Sequence, residues 1–198
     1  FDINEKMMLE FAENAKKTGM DMLVMDDGWF GERHNDRAGL GDWFANKRKF
    51  PDGLKTFVDR VKAHGIKFGI WVEPEMISRD SELYRAHPDW AMTTDKYTPS
   101  QGRNQLILDL TRDDVKEYII NTMTDVFRYG NIEYIKWDNN RHFSDVFSRQ
   151  KGYKSGEYFH RYILGLYKIW DALTGRFPEI EEDEAPLYLL GNEYPEAK

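Results

Sequence analysis

The sequence predicts an α/β fold built on a parallel β-sheet, and two observations narrow it to a (β/α)8 barrel that is incomplete in this chain. Helical and strand-like patterns alternate along the 198 residues, as is typical of parallel βαβ units. Acidic or polar residues follow each predicted strand, and barrels carry their functional residues at the carboxyl ends of their strands. The competing doubly wound sheet usually has a GxGxxG or GxxxxGKS/T phosphate loop, and the sequence contains neither.

Five segments carry apolar residues at the spacing of an α-helix. Asn4 is a suitable N-cap for the first of them, and Gly19 and Gly65 follow the first two, as expected of residues that end helices. The predicted helices span residues 4–17, 54–64, 81–87, 113–129 and 157–176.

Short apolar runs predict three principal strands, at residues 20–25, 66–72 and 132–137. Residues 90–109 are predicted to leave the sheet as two further strands, 90–94 and 105–108, joined by turns. Residues 29–53 form a long glycine-containing loop, and loops of this length are commonly functional or disordered. A complete barrel typically has roughly 250 residues. We therefore expect its first strand and its last several strands to lie outside this chain.

The composition excludes several classes of function. Lys and Arg number 28 against 35 Asp and Glu, a formal charge of −7, and no basic run could follow a nucleic-acid backbone. The absence of cysteine removes disulfides, thiolate metal sites and cysteine nucleophiles, and it suits a cytoplasmic location without excluding export. The five histidines are scattered without metal-ligand spacing, no GxSxG elbow occurs, and no apolar run is long enough to span a membrane.

The third principal strand leads into the first candidate catalytic residue, Asp138. Side chains alternate along a strand, so Lys136 and Asp138 share one face, which in a barrel lines the mouth. An ammonium group near a carboxylate favours the ionised acid that a carboxylate nucleophile requires. The alternative is an ordinary ion pair between Lys136 and Asp138, followed by a turn at Asn139 and Asn140.

Two other pairs of carboxylates follow predicted strands. Asp26 and Asp27 precede Gly28, so they could form a simple Asp-Gly turn or accept hydrogen bonds from sugar hydroxyls. Glu73 and Glu75 could be polar anchors or partners of arginines, and their spacing does not decide between these roles. With other chemistries excluded, glycoside hydrolysis remains as the class that uses paired carboxylates.

Five motifs, in this order along the chain, resemble those of the family-36 glycoside hydrolases, the bacterial-type α-galactosidases. The resemblance extends over about residues 1–180, and the chain is identified as a fragment of that family's catalytic domain. The motifs are MDDGWFG at 25–31, LGDW at 40–43, GIWVEPEM at 69–76, RNQL at 103–106 and KWDNNR at 136–141.

The resemblance implies a (β/α)8 catalytic domain, a retaining mechanism and roles for seven residues. Asp138 would be the nucleophile that forms the galactosyl-enzyme. The implied substrate-binding residues are Asp26 and Asp27 for galactose hydroxyls, Trp71 lining the sugar subsite, and Arg103, Lys136 and Asn140 completing the hydrogen-bonding ring. The implied substrates are α-galactoside oligosaccharides such as melibiose and raffinose. No cofactor or metal is implied, and the full-length parent could be a homo-oligomer.

The sequence departs from the family's pattern after Ile180. We therefore expect residues 1–180 to form a partial barrel and residues 181–198 a divergent tail. The family's Gly-rich segment and its acid/base Asp do not appear, and its first barrel strand and flanking domains are also expected to lie outside the chain. A truncated α-galactosidase, inactive alone, is the leading interpretation. A non-catalytic galactoside-binding remnant, an α-N-acetylgalactosaminidase and a galactosyl transferase of the raffinose-synthase type remain alternatives.

Overall fold

The main sheet contains four parallel strands. The structure, a computed structural model, describes residues 1–93, 96, 98–144, 147–149 and 154–183. The strands are β1 (Met22–Met25), β2 (Lys67–Val72), β5 (Tyr134–Trp137) and β6 (Glu181–Asp183), in the spatial order β1-β2-β5-β6. A second, antiparallel pair consists of β3 (Met76–Ile77) and β4 (Leu106–Ile107). The prediction of an α/β fold on a parallel sheet is confirmed.

All five predicted helices form, each shorter than predicted by up to two residues at either end. Asn4 caps the first by accepting a hydrogen bond from the backbone N–H of Met7 at 3.0 Å, and Ser81 caps the third in the same way through Tyr84. Each cap satisfies one of the N–H groups that the first helical turn leaves without an internal partner. The helices are α1 (Glu5–Lys17), α2 (Leu54–Ala63), α3 (Glu82–Ala86), α4 (Asp113–Phe127) and α5 (Tyr158–Arg176).

The strand order follows the chain without reversal among the strands that the structure describes. Helix α2 lies between β1 and β2 in the chain, α4 between β2 and β5, and α5 between β5 and β6. A doubly wound sheet reverses its strand order at a switch point, whereas successive strands of a barrel are neighbours in sequence. The observed order therefore favours the barrel arrangement.

Three short segments differ from the sequence prediction. The predicted strand at 90–94 is wrong, because the backbone N–H of Trp90 bonds the carbonyl of His87 in a 3-10 turn and only Ala91 bridges to Leu108. Its last residue, Thr94, lies outside the described residues. Strand β3 has two residues, too few for a sequence period to reveal. Strand β6 lies within the segment predicted to be a divergent tail, so the sheet continues past Ile180.

The long loop between β1 and α2 is ordered and packs its aromatic side chains into the core. Trp29, Phe30 and Trp43 from this loop are buried and surround Trp71 of β2. The rings of Phe30 and Trp71 stack with centroids 6.2 Å apart and planes within 10° of each other. Aromatic pairs of this kind contribute about 0.5–1.5 kcal/mol beyond their burial. The cluster therefore gives the carboxyl end of β2 a rigid support.

No helix in the part of the chain that the structure describes is both long and apolar enough to cross a membrane.

Candidate active site

The carboxyl ends of β1, β2 and β5 meet at one edge of the sheet and bring the candidate residues together. Trp71 of β2 lies opposite Lys136 of β5 in the parallel register. The ladder continues one residue past β5, because the backbone N–H of Asp138 donates to the carbonyl of Val72 at 2.8 Å. Asp138 is thereby fixed beside the end of β2.

The half-buried carboxylate of Asp138 accepts three hydrogen bonds. Its Oδ2 accepts one from the indole Nε1 of Trp71 at 2.8 Å and one from Nδ2 of Asn140 at 2.6 Å. Among the described residues, its Oδ1 accepts one, from the backbone N–H of Asn139 at 2.9 Å. A carboxylate oxygen has two lone pairs. Oδ2 is therefore fully occupied, and Oδ1 retains a free acceptor site.

The side chain of Trp71 orients Asp138 from beneath. Its ring is only 2% exposed, and its own backbone carbonyl accepts a 2.9 Å hydrogen bond from the indole of Trp29. The described contacts of Trp71 are therefore with the aromatic cluster and with Asp138. Its predicted role in lining a sugar subsite stays a prediction.

Arg103 reaches the site from a tight turn. Gly102 and Gln105 exchange backbone hydrogen bonds, and the two residues between them have positive φ angles of 49° for Arg103 and 61° for Asn104. Positive φ at both central residues defines a type I′ turn, and it is uncommon outside glycine, asparagine and aspartate. The turn directs Nη1 of Arg103 to Oδ1 of Asn140 at 2.7 Å. Arg103, Asn140 and Asp138 thus form one continuous chain of hydrogen bonds.

Lys136 connects the end of β5 to the end of β1. Its ammonium donates to Oδ2 of Asp26 at 2.9 Å, and both side chains are partly exposed. Asp26 therefore does more than form an Asp-Gly turn, although its Oδ1 also accepts the backbone N–H of Asp27. The side chains that orient Asp138 are Trp71 and Asn140.

Asp27 forms a bidentate ion pair with a buried arginine. Nε and Nη2 of Arg33 contact the two carboxylate oxygens of Asp27 at 2.9 and 2.8 Å, and Arg33 is only 2% exposed. A bidentate pair fixes the plane of the carboxylate. Asp27 is thus held rigidly at the mouth, with lone pairs left for a ligand.

Glu73 and Glu75 are both fully buried at the end of β2. Oε1 of Glu73 accepts the backbone N–H of Asn140 at 2.6 Å, and Oε2 accepts Nε2 of Gln105 at 2.9 Å. Burial, with a further contribution from the charge of Asp138, raises the pKa of Glu73 to about 7. Burial also raises the pKa of Glu75, which accepts hydrogen bonds from the Trp137 indole and the Tyr162 hydroxyl. Both residues behave as polar anchors, one of the two roles left open by the sequence.

All seven predicted residues therefore lie at one edge of the sheet. They fall into three groups, and hydrogen bonds or ion pairs join the members of each group. The groups are Asp138–Trp71–Asn140–Arg103, Asp26–Lys136 and Asp27–Arg33. Sequence reasoning assigned no role to Arg33, which lies in a loop without periodicity, or to Gln105, whose partner Glu73 is 32 residues away in the chain. Among the described residues, no group of three or more His, Cys, Asp or Glu could hold a metal ion.

Comparisons with known proteins agree on one family. A family model described as Melibiase matches residues 1–185. The α-galactosidase AgaA of Geobacillus stearothermophilus is 48% identical over 181 residues, which cover 91% of this chain and 25% of that protein. Alpha-galactosidase 1 of Pediococcus pentosaceus shows the same identity and coverage. This chain thus spans about a quarter of the length of these relatives.

Solved structures give the same result. The crystal structure of AgaA, described as a GH36 α-galactosidase, matches with a TM-score of 0.88 at 47% identity, over 92% of this chain and 26% of that one. A variant of AgaA in complex with raffinose matches with a TM-score of 0.89 over the same shares. Another variant, in complex with stachyose, matches with a TM-score of 0.87 over the same shares.

Proposed function

Since this chain belongs to the melibiase family, family 36 of the glycoside hydrolases, we propose that it carries the nucleophile side of a retaining α-galactosidase active site. The observation that supports this most strongly is the environment of Asp138, a half-buried carboxylate oriented by Trp71 and Asn140 at a strand end. Orientation of this kind places a nucleophile for attack without further loss of side-chain freedom.

Asp138 attacks the anomeric carbon of an α-galactoside through Oδ1, the oxygen with a free acceptor site. The Oδ1–carbon bond forms as the glycosidic carbon–oxygen bond breaks, and the leaving oxygen takes a proton from an acid. Water then attacks the same carbon, the conjugate base of that acid takes a proton from the water, and the Asp138 carboxylate leaves, so the configuration of the sugar is retained. Oδ2 keeps its two hydrogen bonds throughout, and these hold the carboxylate plane fixed.

Asp26, Asp27 and Lys136 bind the hydroxyl groups of the galactosyl ring, and Arg103 and Asn140 complete the ring of polar groups. Each side chain is held by a charged or hydrogen-bonded partner. A rigid set of donors and acceptors rejects an epimer, because a misplaced hydroxyl leaves buried polar groups unpaired. Raffinose and stachyose, present in structures of related enzymes, contain the class of linkage that this site would accept.

The acid that protonates the leaving group is proposed to come from outside the described residues. Glu73 has the raised pKa of a general acid. It is nevertheless 0% exposed, and its two oxygens are bonded to Asn140 and Gln105, so it cannot reach a leaving oxygen. A retaining pair needs two carboxyl groups about 5–5.5 Å apart that flank the bond. The four parallel strands accordingly represent consecutive strands of a (β/α)8 barrel whose remaining strands would supply the second carboxyl.

Galactose binding tests whether the proposed sugar site is formed. Isothermal titration calorimetry of the chain with galactose is expected to give saturable binding that weakens in Asp26→Asn and Lys136→Met, because each change removes one member of the pair. Asp59→Asn is a matched control, since Asp59 is exposed and paired with Lys55 on α2. Absence of binding, or equal weakening in the control, would contradict the proposed site. Binding without any covalent chemistry would instead favour a galactoside-binding remnant.

A further inference from the structure

Glu73 lies behind the candidate nucleophile and joins two segments that are far apart in sequence. It is the first residue after β2 and is completely buried. Its Oε1 accepts the backbone N–H of Asn140, from the segment that follows β5, at 2.6 Å. Its Oε2 accepts the side-chain amide of Gln105, from the turn segment that carries Arg103, at 2.9 Å. One carboxylate therefore holds both segments.

Asn140 connects Glu73 to Asp138. Its backbone N–H goes to Glu73, its Nδ2 donates to Oδ2 of Asp138 at 2.6 Å, and its Oδ1 accepts from Arg103 at 2.7 Å. The Asn140 amide cannot rotate without losing one of the two side-chain bonds. A displacement of its backbone would move Asp138 and Arg103 together.

Gln105 connects Glu73 to the turn that carries Arg103. It closes the turn that holds Arg103 by exchanging backbone hydrogen bonds with Gly102. Its carbonyl also accepts Nη1 of the buried Arg141 at 2.8 Å. The turn requires positive φ at Arg103 and Asn104, a conformation that persists only where its surroundings hold it. The bond from Gln105 to Glu73 is one of the contacts that hold it.

We propose that Glu73 is a positioning residue that sets the geometry of Asp138 by anchoring Asn140 and Gln105. The inference rests on the proposed function for the assignment of Asp138 as the nucleophile. The structural part, a link between the carboxyl group of Glu73 and the conformation of Asn140, stands on the contacts alone.

The charge state of Glu73 gives this anchor a measurable signature. Burial and the charge of Asp138 raise the pKa of Glu73 to about 7. The charged groups around it are Asp138 at the end of β5, Arg103 reached through Asn140, and Arg141 bound to the carbonyl of Gln105. A hydrogen bond to an ionised acceptor is roughly twice as strong as one to a neutral acceptor. The bond to the Asn140 N–H therefore strengthens as pH rises through about 7.

The first test follows the backbone amide of Asn140 by NMR in the 15N-labelled chain as pH is varied. The amide proton resonance is expected to move downfield with a midpoint near pH 7 and to lose this movement in Glu73→Gln. Glu75→Gln is the matched control, because Glu75 is equally buried but binds Trp137 and Tyr162 instead. An Asn140 resonance whose position and pH dependence are the same in the native chain and in Glu73→Gln would overturn the proposal.

The second test separates positioning from a general loss of structure. α-Galactosyl fluoride serves as the probe, because its leaving group needs little protonation, and the rate of covalent labelling is compared with galactose affinity. Glu73→Ala is expected to slow labelling by about tenfold or more, the effect of roughly one hydrogen bond to a charged group, while galactose affinity changes much less. Glu73→Gln keeps an oxygen acceptor for Asn140 and restores most of the rate.

Equal loss of labelling and affinity in Glu73→Ala, without restoration by Glu73→Gln, would contradict positioning. If the native chain neither binds galactose nor is labelled, the proposed function fails. The NMR titration of Asn140 then still decides whether Glu73 controls its conformation.

Discussion

The half-buried Asp27 and the buried Glu73 and Glu75 are held in two different ways, and the difference affects stability. Asp27 is paired with the guanidinium of Arg33, whereas Glu73 and Glu75 accept hydrogen bonds from neutral amide, indole and phenol groups. Neutral donors compensate only part of the cost of burying a charge. The raised pKa values of Glu73 and Glu75 reflect that cost.

Replacing Glu73 by Gln is expected to flatten the pH dependence of stability. A pKa raised from 4.5 to about 7 makes the group stabilising below pH 4.5, and this contribution is lost as pH rises to about 7. A pKa of about 7 in place of 4.5 corresponds to about 3 kcal/mol over the full pH range, because each tenfold change in proton affinity is worth 1.36 kcal/mol. Urea unfolding at pH 5 and pH 8 measures the part of this difference that falls between the two pH values. The native chain should lose about 2–3 kcal/mol more than Glu73→Gln between them. Equal losses in the two proteins would show that Glu73 ionises normally.

Asn139, directly after Asp138, is expected to destabilise the chain. Its side-chain nitrogen and oxygen are both buried and have no hydrogen-bond partner among the described residues. Burying an unsatisfied amide costs about 1–3 kcal/mol. Asn139→Leu, similar in volume, should therefore raise the free energy of unfolding by about that amount in urea titrations. Asn14→Leu on the exposed face of α1 is the control. A loss of stability in Asn139→Leu would indicate that the amide has a partner.

For single residues, the sequence identifies the candidate site residues better than it identifies their hydrogen-bond and ion-pair partners. Asp138 and Asp26 are found because they follow strand-like runs, and Lys136 because strand alternation places it on the same face as Asp138. The pairing of Asp27 with Arg33 is not predicted, because Arg33 lies in a loop without periodicity. The anchoring role of Glu73 depends on Asn140, 67 residues away in the chain, and no local pattern reports such a contact.

Helix α5 closely approaches the backbone of Leu110, in the segment that leads into α4, at Gly165. A Cβ on Gly165 would lie 2.1 Å from the carbonyl oxygen of Leu110, whereas a Cβ on Gly175 of the same helix would meet nothing within 4 Å. Gly165→Ala is expected to destabilise the chain by about 1–3 kcal/mol, because the helix must move away. Gly175→Ala, the matched control, should be neutral or stabilise by up to about 1 kcal/mol through helix propensity. Thermal unfolding of both variants measures the difference, and equal effects would contradict this packing.

The elements that sequence reasoning predicts well are the long and periodic ones. Helices α1, α2, α4 and α5 have apolar stripes over several turns, and β2 is a continuous apolar run. Strand β4 lies within the predicted strand 105–108 and confirms it. Strand β3 has only two residues, too few to show a period, and β6 has three acidic residues, so the local sequence does not indicate these two strands. They form because neighbouring strands offer hydrogen-bond partners to their backbone. These contacts depend on the tertiary structure and not on the local sequence.

For the whole molecule, the four parallel strands follow one another in chain order, and the chain spans about a quarter of its relatives' length. These facts agree with the proposal that the four strands are consecutive strands of a barrel. The purified chain is expected to show little or no hydrolysis of melibiose or raffinose, because the proton donor for the leaving oxygen is proposed to lie elsewhere. A galactose-release assay measures this, and clear turnover of melibiose would contradict it.

Covalent labelling shows whether Asp138 is the nucleophile. The chain is incubated with α-galactosyl fluoride, rapidly denatured at low pH and digested, and the labelled peptide is identified by mass spectrometry. We expect a mass increase of one hexosyl residue on Asp138, abolished in Asp138→Asn and unchanged in Asp59→Asn. Labelling at a different carboxylate, or no labelling of a chain that binds galactose, would contradict the assignment of Asp138 as the nucleophile.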